Sequence, residues 1–260
     1  MLALIVVSLL ADQPAAPPAA AASAPASAAP AATDVAGLLA QADEAWPARD
    51  EPGRLDAIQS ALDRALQAAP DDYGVLWRQS RLYFWRSDDQ ALPDADKSRL
   101  GKKGWDFGDR ATRVNPGGVE GWNYAASGVG NYSLGIGVVE ALFKGIEGDF
   151  TSRLKKAEEL DPRYDSGGIA TAWGRYYYEL PWPKHSAKKC QQWLEKALEQ
   201  NPDNVRALVY LGDLHLDEGR KAEARAAWER ALAKPPGIYD GPEERRWQGQ
   251  ARARLEKLGK

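Results

Sequence analysis

The sequence has few of the side chains that most often build catalytic or metal sites. Among 260 residues it has one cysteine, Cys190, and two histidines. No disulfide can therefore form within the chain, and no Cys/His cluster has the spacing of metal ligands. Phosphate-binding loops and nucleophile elbows are also missing. We therefore expect a protein that is not an enzyme and that needs no cofactor and no metal.

Charge of one sign and long apolar runs are scarce as well. The chain carries 34 basic and 37 acidic residues, with no block or stripe of Lys and Arg. This balance disfavours nucleic acid or an anionic membrane as the partner. The most apolar run, MLALIVVSLL at residues 1–10, is shorter than the about 20 residues that span a bilayer.

The N-terminal residues have the composition of an export leader and a tether. The apolar run resembles the core of a secretory signal, and small residues follow it. We interpret residues 1–11 as the leader and the Ala/Pro-rich residues 12–36 as a disordered linker, because they offer no bulky side chains to bury. No cysteine follows the leader for lipid attachment. We expect an exported, periplasmic protein that is not a lipoprotein and that folds over residues 37–260.

Five similar turns divide the rest of the chain into repeats. Each turn has a proline after a predicted helix end, and these prolines are Pro70, Pro116, Pro162, Pro202 and Pro236. Their successive spacings are 46, 46, 40 and 34 residues. The last value is the length of a tetratricopeptide (TPR) unit, which consists of two antiparallel helices and a turn. The longer spacings fit the same unit with insertions.

Small residues in the last repeat have the positions that a TPR hairpin needs. Residues 205–236 read VRALVYLGDLHLDEGRKAEARAAWERALAKPP. Two helices approach to about 8–10 Å only where small residues face each other, and Gly212, Ala224 and Ala231 provide such positions. Gly219 suits the left-handed end of the first helix.

The neighbouring segments extend this pattern. Cys190 lies 34 residues before Ala224, which assigns its thiol to a small, buried packing position rather than to a nucleophile. Residues 131–150 form a Gly-dotted apolar insertion that is longer than a TPR turn. Residues 242–260 have apolar side chains at helical spacing, as a terminal capping helix does. We therefore predict an all-α, TPR-like α-solenoid of four to five helical hairpins with a C-terminal capping helix.

Three short motifs add a resemblance to a known family. They are Leu160–Pro162 (LDP), Gly174–Tyr177 (GRYY) and Leu180–Trp182 (LPW), and they occur beside the Gly-dotted insertion. With these motifs the chain resembles the TatT component family that is associated with TRAP transporters. The resemblance implies a helical array that can form a homotrimer and dock a periplasmic substrate-binding protein. It also implies internal cavities that pass small hydrophobic or organic-acid ligands.

Seven residues are candidates for ligand or partner binding. They flank or belong to the insertion, or crowd the hairpin that follows it: Asn123, Tyr132, Gly135, Trp173, Tyr177, Tyr178 and Trp182. Polar groups beside apolar surface can orient a ligand, and aromatic rings concentrate in protein interfaces. The alternatives are helix capping or interhelical hydrogen bonds for the polar residues, close helix contacts for the glycine, and packing on the adjacent repeat for the rings.

These features together predict an exported TPR binding or adaptor protein with a protein partner. The leading hypothesis is a TatT-like component that associates with a substrate-binding protein and handles small ligands. The alternative is a general TPR scaffold of the cell envelope, which binds proteins and has no small-molecule role.

Overall fold

The computed structural model describes residues 34–237 and 239–259. The predicted leader, residues 1–11, and residues 12–33 of the predicted linker lie outside the described residues. The described backbone forms α-helices joined by turns and contains no β-strand. None of these helices is both long and apolar enough to cross a lipid bilayer.

Twelve α-helices follow one another along the described part of the chain. They are α1 (Val35–Ala45), α2 (Arg54–Ala68), α3 (Tyr73–Ser87), α4 (Asp94–Val114), α5 (Val119–Ile136), α6 (Val138–Phe143), α7 (Ile146–Leu160), α8 (Gly168–Glu179), α9 (Ala187–Gln200), α10 (Val205–Asp217), α11 (Lys221–Leu232) and α12 (Gly241–Leu258). Two short 3₁₀ helices, Trp46–Ala48 and Tyr164–Gly167, precede α2 and α8.

Successive helices pack in pairs. The pairs are α1 with α2, α3 with α4, α5 with α7, α8 with α9, and α10 with α11. Helix α6 lies in the connection between α5 and α7, and α12 packs on α11 and α10. This arrangement confirms the predicted all-α, TPR-like solenoid, with five hairpins and a C-terminal capping helix.

Polar side chains that follow the repeated prolines start the next helices. Asp72, two residues after Pro70, accepts a hydrogen bond from the amide three residues later at 2.9 Å. Asn204, two residues after Pro202, accepts the equivalent bond, also at 2.9 Å. These oxygens satisfy amide donors that have no partner within the helix. The proline turn therefore both ends one helix and caps the next.

Helices α10 and α11 meet at the small residues that the sequence singles out. A Cβ atom on Gly212 would lie 2.3 Å from Nε1 of Trp228, which is closer than real contacts allow. Ala224 and Ala231 are fully buried in the same core. Gly219 follows α10 with a φ of 77°, which confirms the left-handed helix end.

The Gly-dotted insertion is mostly helical. Helix α5 continues to Ile136, and Gly137, with a φ of 92°, separates it from α6. Gly145, with a φ of 75°, precedes α7. The sequence does not predict α6, because its six residues are too few to show an apolar period. Close helix contact is visible here as well, since a Cβ on Gly128 would lie 2.3 Å from the Trp105 amide nitrogen.

Candidate functional site

The two ends of the helical array meet where the chain after the first 3₁₀ helix contacts the start of α12. Arg49 is 3% exposed, and its Nη2 lies 2.6 Å from Oδ2 of Asp240. Its guanidinium carbon lies 4.5 Å from the centre of the Trp46 ring and 4.1 Å from that of Trp85. The Arg49 guanidinium thus contacts two aromatic rings, and its ion pair with Asp240 joins residues that are 191 positions apart.

A second buried ion-pair cluster joins the end of α3 to α10 and α12. Arg206 places its Nη2 2.7 Å from Oδ2 of Asp88 and its Nε 2.6 Å from Oε1 of Glu243. Burial raises the pKa of Glu243, although Arg206 opposes this shift. Because Arg206 serves two carboxylates, the cluster is sensitive to the loss of this one side chain. The array thus closes on itself through polar contacts.

Residues from both ends of the array line a partly open cavity of about 450 Å³. Eight aromatic side chains belong to its wall: Trp46, Phe84, Trp85, Tyr124, Phe150, Tyr176, Tyr210 and Tyr239. Small-molecule sites in proteins typically measure about 300–1,000 Å³ and combine apolar and aromatic walls with a few polar groups. The cavity therefore has the size and lining of a ligand site.

Helix α5 gives the cavity wall a polar stripe. Asn123, Ser127 and Asn131 follow one another at intervals of four residues and line the cavity from one face of the helix. The Asn131 amide nitrogen donates to Oγ of Ser87 at 2.8 Å, and the Ser127 hydroxyl donates to the carbonyl of Asn123 at 2.9 Å. This stripe adds neutral hydrogen-bonding groups to the aromatic part of the wall.

Acidic side chains outnumber basic ones in the cavity wall. The five basic residues are Arg49, Arg81, Lys97, Arg175 and Arg206, and the nine acidic residues are Asp88, Asp94, Glu147, Asp165, Glu179, Asp203, Asp240, Glu243 and Glu244. All four arginines form ion pairs with carboxylates. Lys97 donates to the backbone carbonyl of Asp89 at 3.1 Å. Two of the nine carboxylates, Glu147 and Asp203, pair with lysines outside the wall, so the surplus of negative charge is smaller than this count.

Asp165, in the turn between α7 and α8, is a cavity carboxylate without an ion pair. No basic nitrogen of residues 34–237 or 239–259 lies within 4.0 Å of its oxygens. Oδ1 accepts a hydrogen bond from the Tyr239 hydroxyl at 2.8 Å. Oδ2 lies over Gly168, where a Cβ would come within 2.5 Å of it. The side chain is open to solvent inside the cavity. The surrounding protein nevertheless raises the pKa of Asp165 by desolvation, while the hydrogen bond from Tyr239 and the charge of Arg206 oppose this shift.

The backbone at Asp165 is also unusual. Asp165 has φ 57° and ψ 33°, and Ser166 has φ 45° and ψ 53°. Both residues are therefore in the left-handed region, which costs about 1–2 kcal/mol for a residue with a Cβ. This conformation directs the Asp165 carboxylate over the first turn of α8, where the partial positive charge of the helix end favours an ionised carboxylate.

Comparison with known proteins identifies the repeat. A family model described as tetratricopeptide repeat matches residues 191–243. The solved structure of TTC0263, a thermophilic TPR protein of Thermus thermophilus, is 21% identical and has a TM-score of 0.64, covering 85% of this chain and 99% of that one. The fold is that of a TPR protein.

A second solved structure has the same fold at lower sequence identity. It is described as pilF of Pseudomonas aeruginosa, is 12% identical and has a TM-score of 0.52 over 86% of this chain and 93% of that one. No curated protein sequence matches this chain. The family match covers α10 and α11, the repeat in which Gly212 contacts Trp228.

The predicted aromatic residues of this chain mostly pack between helices. Trp173 is 9% exposed and donates from Nε1 to Oε2 of Glu158 at 3.0 Å. The Tyr177 ring packs on Trp173, with 6.3 Å between ring centres. The Tyr178 hydroxyl donates to Asp217 of α10 at 2.5 Å, across the boundary to the next repeat. These three side chains lie outside the cavity wall.

The other four predicted residues have different surroundings. Asn123 is buried and lines the cavity. Tyr132 packs on the Trp105 ring, with 5.8 Å between ring centres. Gly135 permits α4 to approach α5, because a Cβ there would lie 2.4 Å from the backbone nitrogen of residue 98. Trp182 is 89% exposed in the turn before α9. Of the seven predicted residues, Asn123 is the one that belongs to the cavity wall.

Sequence analysis overlooked the charged residues of the cavity. Asp165, Arg206 and Asp240 come from separate repeats, so no local motif connects them. A signal is nevertheless present, because the turns LDPRYD and PPGIYD both end in a Tyr-Asp pair. In a standard TPR turn one acidic residue suffices for capping, and the tyrosine before it has no capping role.

The described residues contain no group of three or more His, Cys, Asp and Glu side chains that could hold a metal ion. Cys190 is fully buried, and burial raises the pKa of its thiol to about 12. It therefore remains a protonated thiol at neutral pH, which is unsuited to a nucleophile. His215 is buried on α10, and burial lowers its pKa.

Proposed function

We propose that this TPR protein is a binding protein that holds a small molecule in its internal cavity and exchanges it with a protein partner. The observation that carries the proposal is the cavity of about 450 Å³ with its aromatic wall. A repeat array that only displays a concave surface to a protein segment can stay open. Here ion pairs between the two ends close the array around an interior, as a carrier requires.

The partner part of the proposal draws on the repeat and on the resemblance. TPR proteins are generally scaffolds for protein–protein interaction and generally lack enzymatic activity. The LDP, GRYY and LPW motifs resemble the TatT component family, so the partner we propose is a periplasmic substrate-binding protein of a TRAP-type transporter. In this proposal the protein is exported, and its assembly into a homotrimer follows the same resemblance.

A second candidate function is a protein-binding scaffold without a small-molecule role. It is favoured by two aromatic side chains that are almost fully exposed, Phe143 on α6 at 88% and Trp182 at 89%. Both segments are next to α7, since Lys184, two residues after Trp182, forms an ion pair with Glu147. Exposed aromatic rings of this kind often provide much of the binding energy of a protein interface.

Binding of a neutral apolar dye tests the cavity directly. We expect N-phenylnaphthylamine to bind the full-length protein saturably and to fluoresce in the aromatic interior. Ser127→Trp places an indole in the cavity wall, and it should abolish binding because the ring occupies the space of the dye. The fold should be retained, since the Ser127 hydroxyl bonds only within its own helix. Ser152→Trp is the matched control, since Ser152 is exposed on α7, outside the wall.

The outcomes separate the two candidate functions. Saturable dye binding that Ser127→Trp removes and Ser152→Trp retains supports a carrier. If the wild type fails to bind the dye, or if Ser127→Trp binds it equally well, the cavity has no ligand role. In that case Phe143→Ala and Trp182→Ala should still weaken co-purification with a partner from the native cell envelope, as the scaffold requires.

A further inference from the structure

The carboxylate of Asp165 can accept further hydrogen bonds inside the cavity. Its Oδ1 accepts one hydrogen bond from Tyr239, and its Oδ2 has no hydrogen-bond donor among residues 34–237 and 239–259. A cationic ligand opposes the upward shift in the pKa of Asp165 and so holds the carboxylate ionised, and an ionised carboxylate offers about four lone-pair positions on its two oxygens. A ligand that enters the cavity can therefore still bind Asp165 through Oδ2.

The nearby arginines cannot bind Oδ2 of Asp165 without releasing another carboxylate. Arg206 already binds Asp88 and Glu243, and Arg49 already binds Asp240. Arg246 also lies 3.9 Å from Asp88, so three guanidinium groups face four carboxylates when Asp165 is included. Adding a negatively charged ligand would increase the imbalance, whereas one additional positive charge would reduce it.

The surroundings of Asp165 suit an organic cation better than a metal ion. The described residues bring no three potential metal ligands together. Instead, several aromatic rings lie near Asp165. Tyr239 contacts Asp165 directly, and the Tyr124 ring lies 6.5 Å from that of Tyr164, the residue before Asp165. The centre of the Phe84 ring lies 6.1 Å from that of the Tyr124 ring. Aromatic rings with a carboxylate bind ammonium groups, since the ring faces attract positive charge.

We propose that the cavity selects a small organic cation whose protonated amine binds the Asp165 carboxylate while its apolar part lies among the aromatic rings. This inference rests on the proposed carrier function and specifies the class of ligand. It differs from the organic acids that the family resemblance implies, because the four arginines of the wall are already paired with protein carboxylates, and Lys97, the fifth basic residue of the wall, donates to the backbone carbonyl of Asp89.

Competition among three ligands of nearly equal shape tests the inference. The test measures how well phenethylamine, phenethyl alcohol and hydrocinnamate, which differ in charge at neutral pH, displace the bound dye from the full-length protein. A charge-assisted hydrogen bond in an enclosed site corresponds to about tenfold or more in affinity. We expect the amine to compete at a concentration about tenfold lower than the alcohol, and hydrocinnamate to compete more weakly than either.

Asp165→Asn assigns that preference to one side chain. Asparagine tolerates the left-handed backbone of this position, so the variant keeps the turn while it loses the charge. We expect it to bind the dye and the alcohol like wild type and to lose the preference for the amine. Asp71→Asn, which removes the same charge from an 81% exposed side chain, should keep the preference.

The results distinguish this inference from the carrier function. If the alcohol or the acid competes as well as the amine in the wild type, the cation site is refuted although the cavity still binds ligands. An amine preference that persists in Asp165→Asn also refutes the role of Asp165. If the wild type does not bind the dye at all, the carrier function and the cation site fail together.

Discussion

Replacing Gly212 with alanine tests the close contact between α10 and α11. The new Cβ would lie 2.3 Å from Nε1 of Trp228, whereas ordinary contact begins at 3.4 Å, so the indole must move by about 1 Å. The indole is fully buried and donates to the carbonyl of Val209 at 3.2 Å. Overpacking of this kind costs about 1–3 kcal/mol, and strain in a buried hydrogen bond adds about 1 kcal/mol.

Alanine also has a higher helix propensity than glycine, which offsets about 1 kcal/mol of this loss of stability. The expected net loss is therefore about 1–3 kcal/mol in the free energy of unfolding, or about 2–4 °C in Tm for each kcal/mol. Urea denaturation followed by circular dichroism measures this loss. Gly249→Ala on α12 is the matched control, because Gly249 is exposed and a Cβ added there would have no atom within 4 Å.

The control should gain about 0.5–1 kcal/mol, since only the helix propensity changes. Opposite signs for the two substitutions would show that the cost at Gly212 comes from the neighbouring indole. If Gly212→Ala is as stable as the wild type or more stable, small residues do not limit the approach of the paired helices. The physical basis of the hairpin prediction would then be wrong.

Three further predictions concern buried polar groups. Arg206→Met should cost about 3 kcal/mol in the free energy of unfolding, because Glu243 loses its ion pair and the buried Asp88 keeps only Arg246, at 3.9 Å. Cys190 should resist thiol reagents in the folded protein and react fully in denaturant, since it is 0% exposed and burial raises its pKa to about 12. His215→Gln should become more stable relative to wild type as the pH falls from about 7 to 5, which urea denaturation at both pH values measures. Burial lowers the folded-state pKa of His215 below 6.5, so the unfolded wild-type chain gains the proton first and is favoured at low pH.

Each of these predictions has a control or an opposing result. Arg225→Met removes an arginine whose ion pair with Glu229 is exposed and 3.9 Å long, so its stability should change by less than about 0.5 kcal/mol. Equal losses for Arg206→Met and Arg225→Met would contradict the buried cluster. Rapid labelling of native Cys190 would contradict its burial. A stability difference for His215→Gln that does not vary with pH would remove the role assigned to that imidazole.

The candidate site shows where sequence-based prediction reaches its limit. Asn123 is in the cavity wall, and its polar character beside an apolar segment is a local signal. The tyrosines of α8 differ: adjacent rings point in directions about 100° apart, and the neighbouring repeats determine which of them are covered. Tyr176 therefore lines the cavity, whereas Tyr177 packs on Trp173 and Tyr178 contacts α10.

The sequence by itself determined the repeat, because the signals of a helical hairpin act within about 34 residues. Prolines end the helices, Asp72 and Asn204 cap the next ones, and Gly212 lets α11 pack closely on α10. Only the tertiary structure decided that the array closes. A small rotation at each repeat accumulates along the solenoid, and the total determines whether Arg49 meets Asp240 and whether a cavity is enclosed around Asp165.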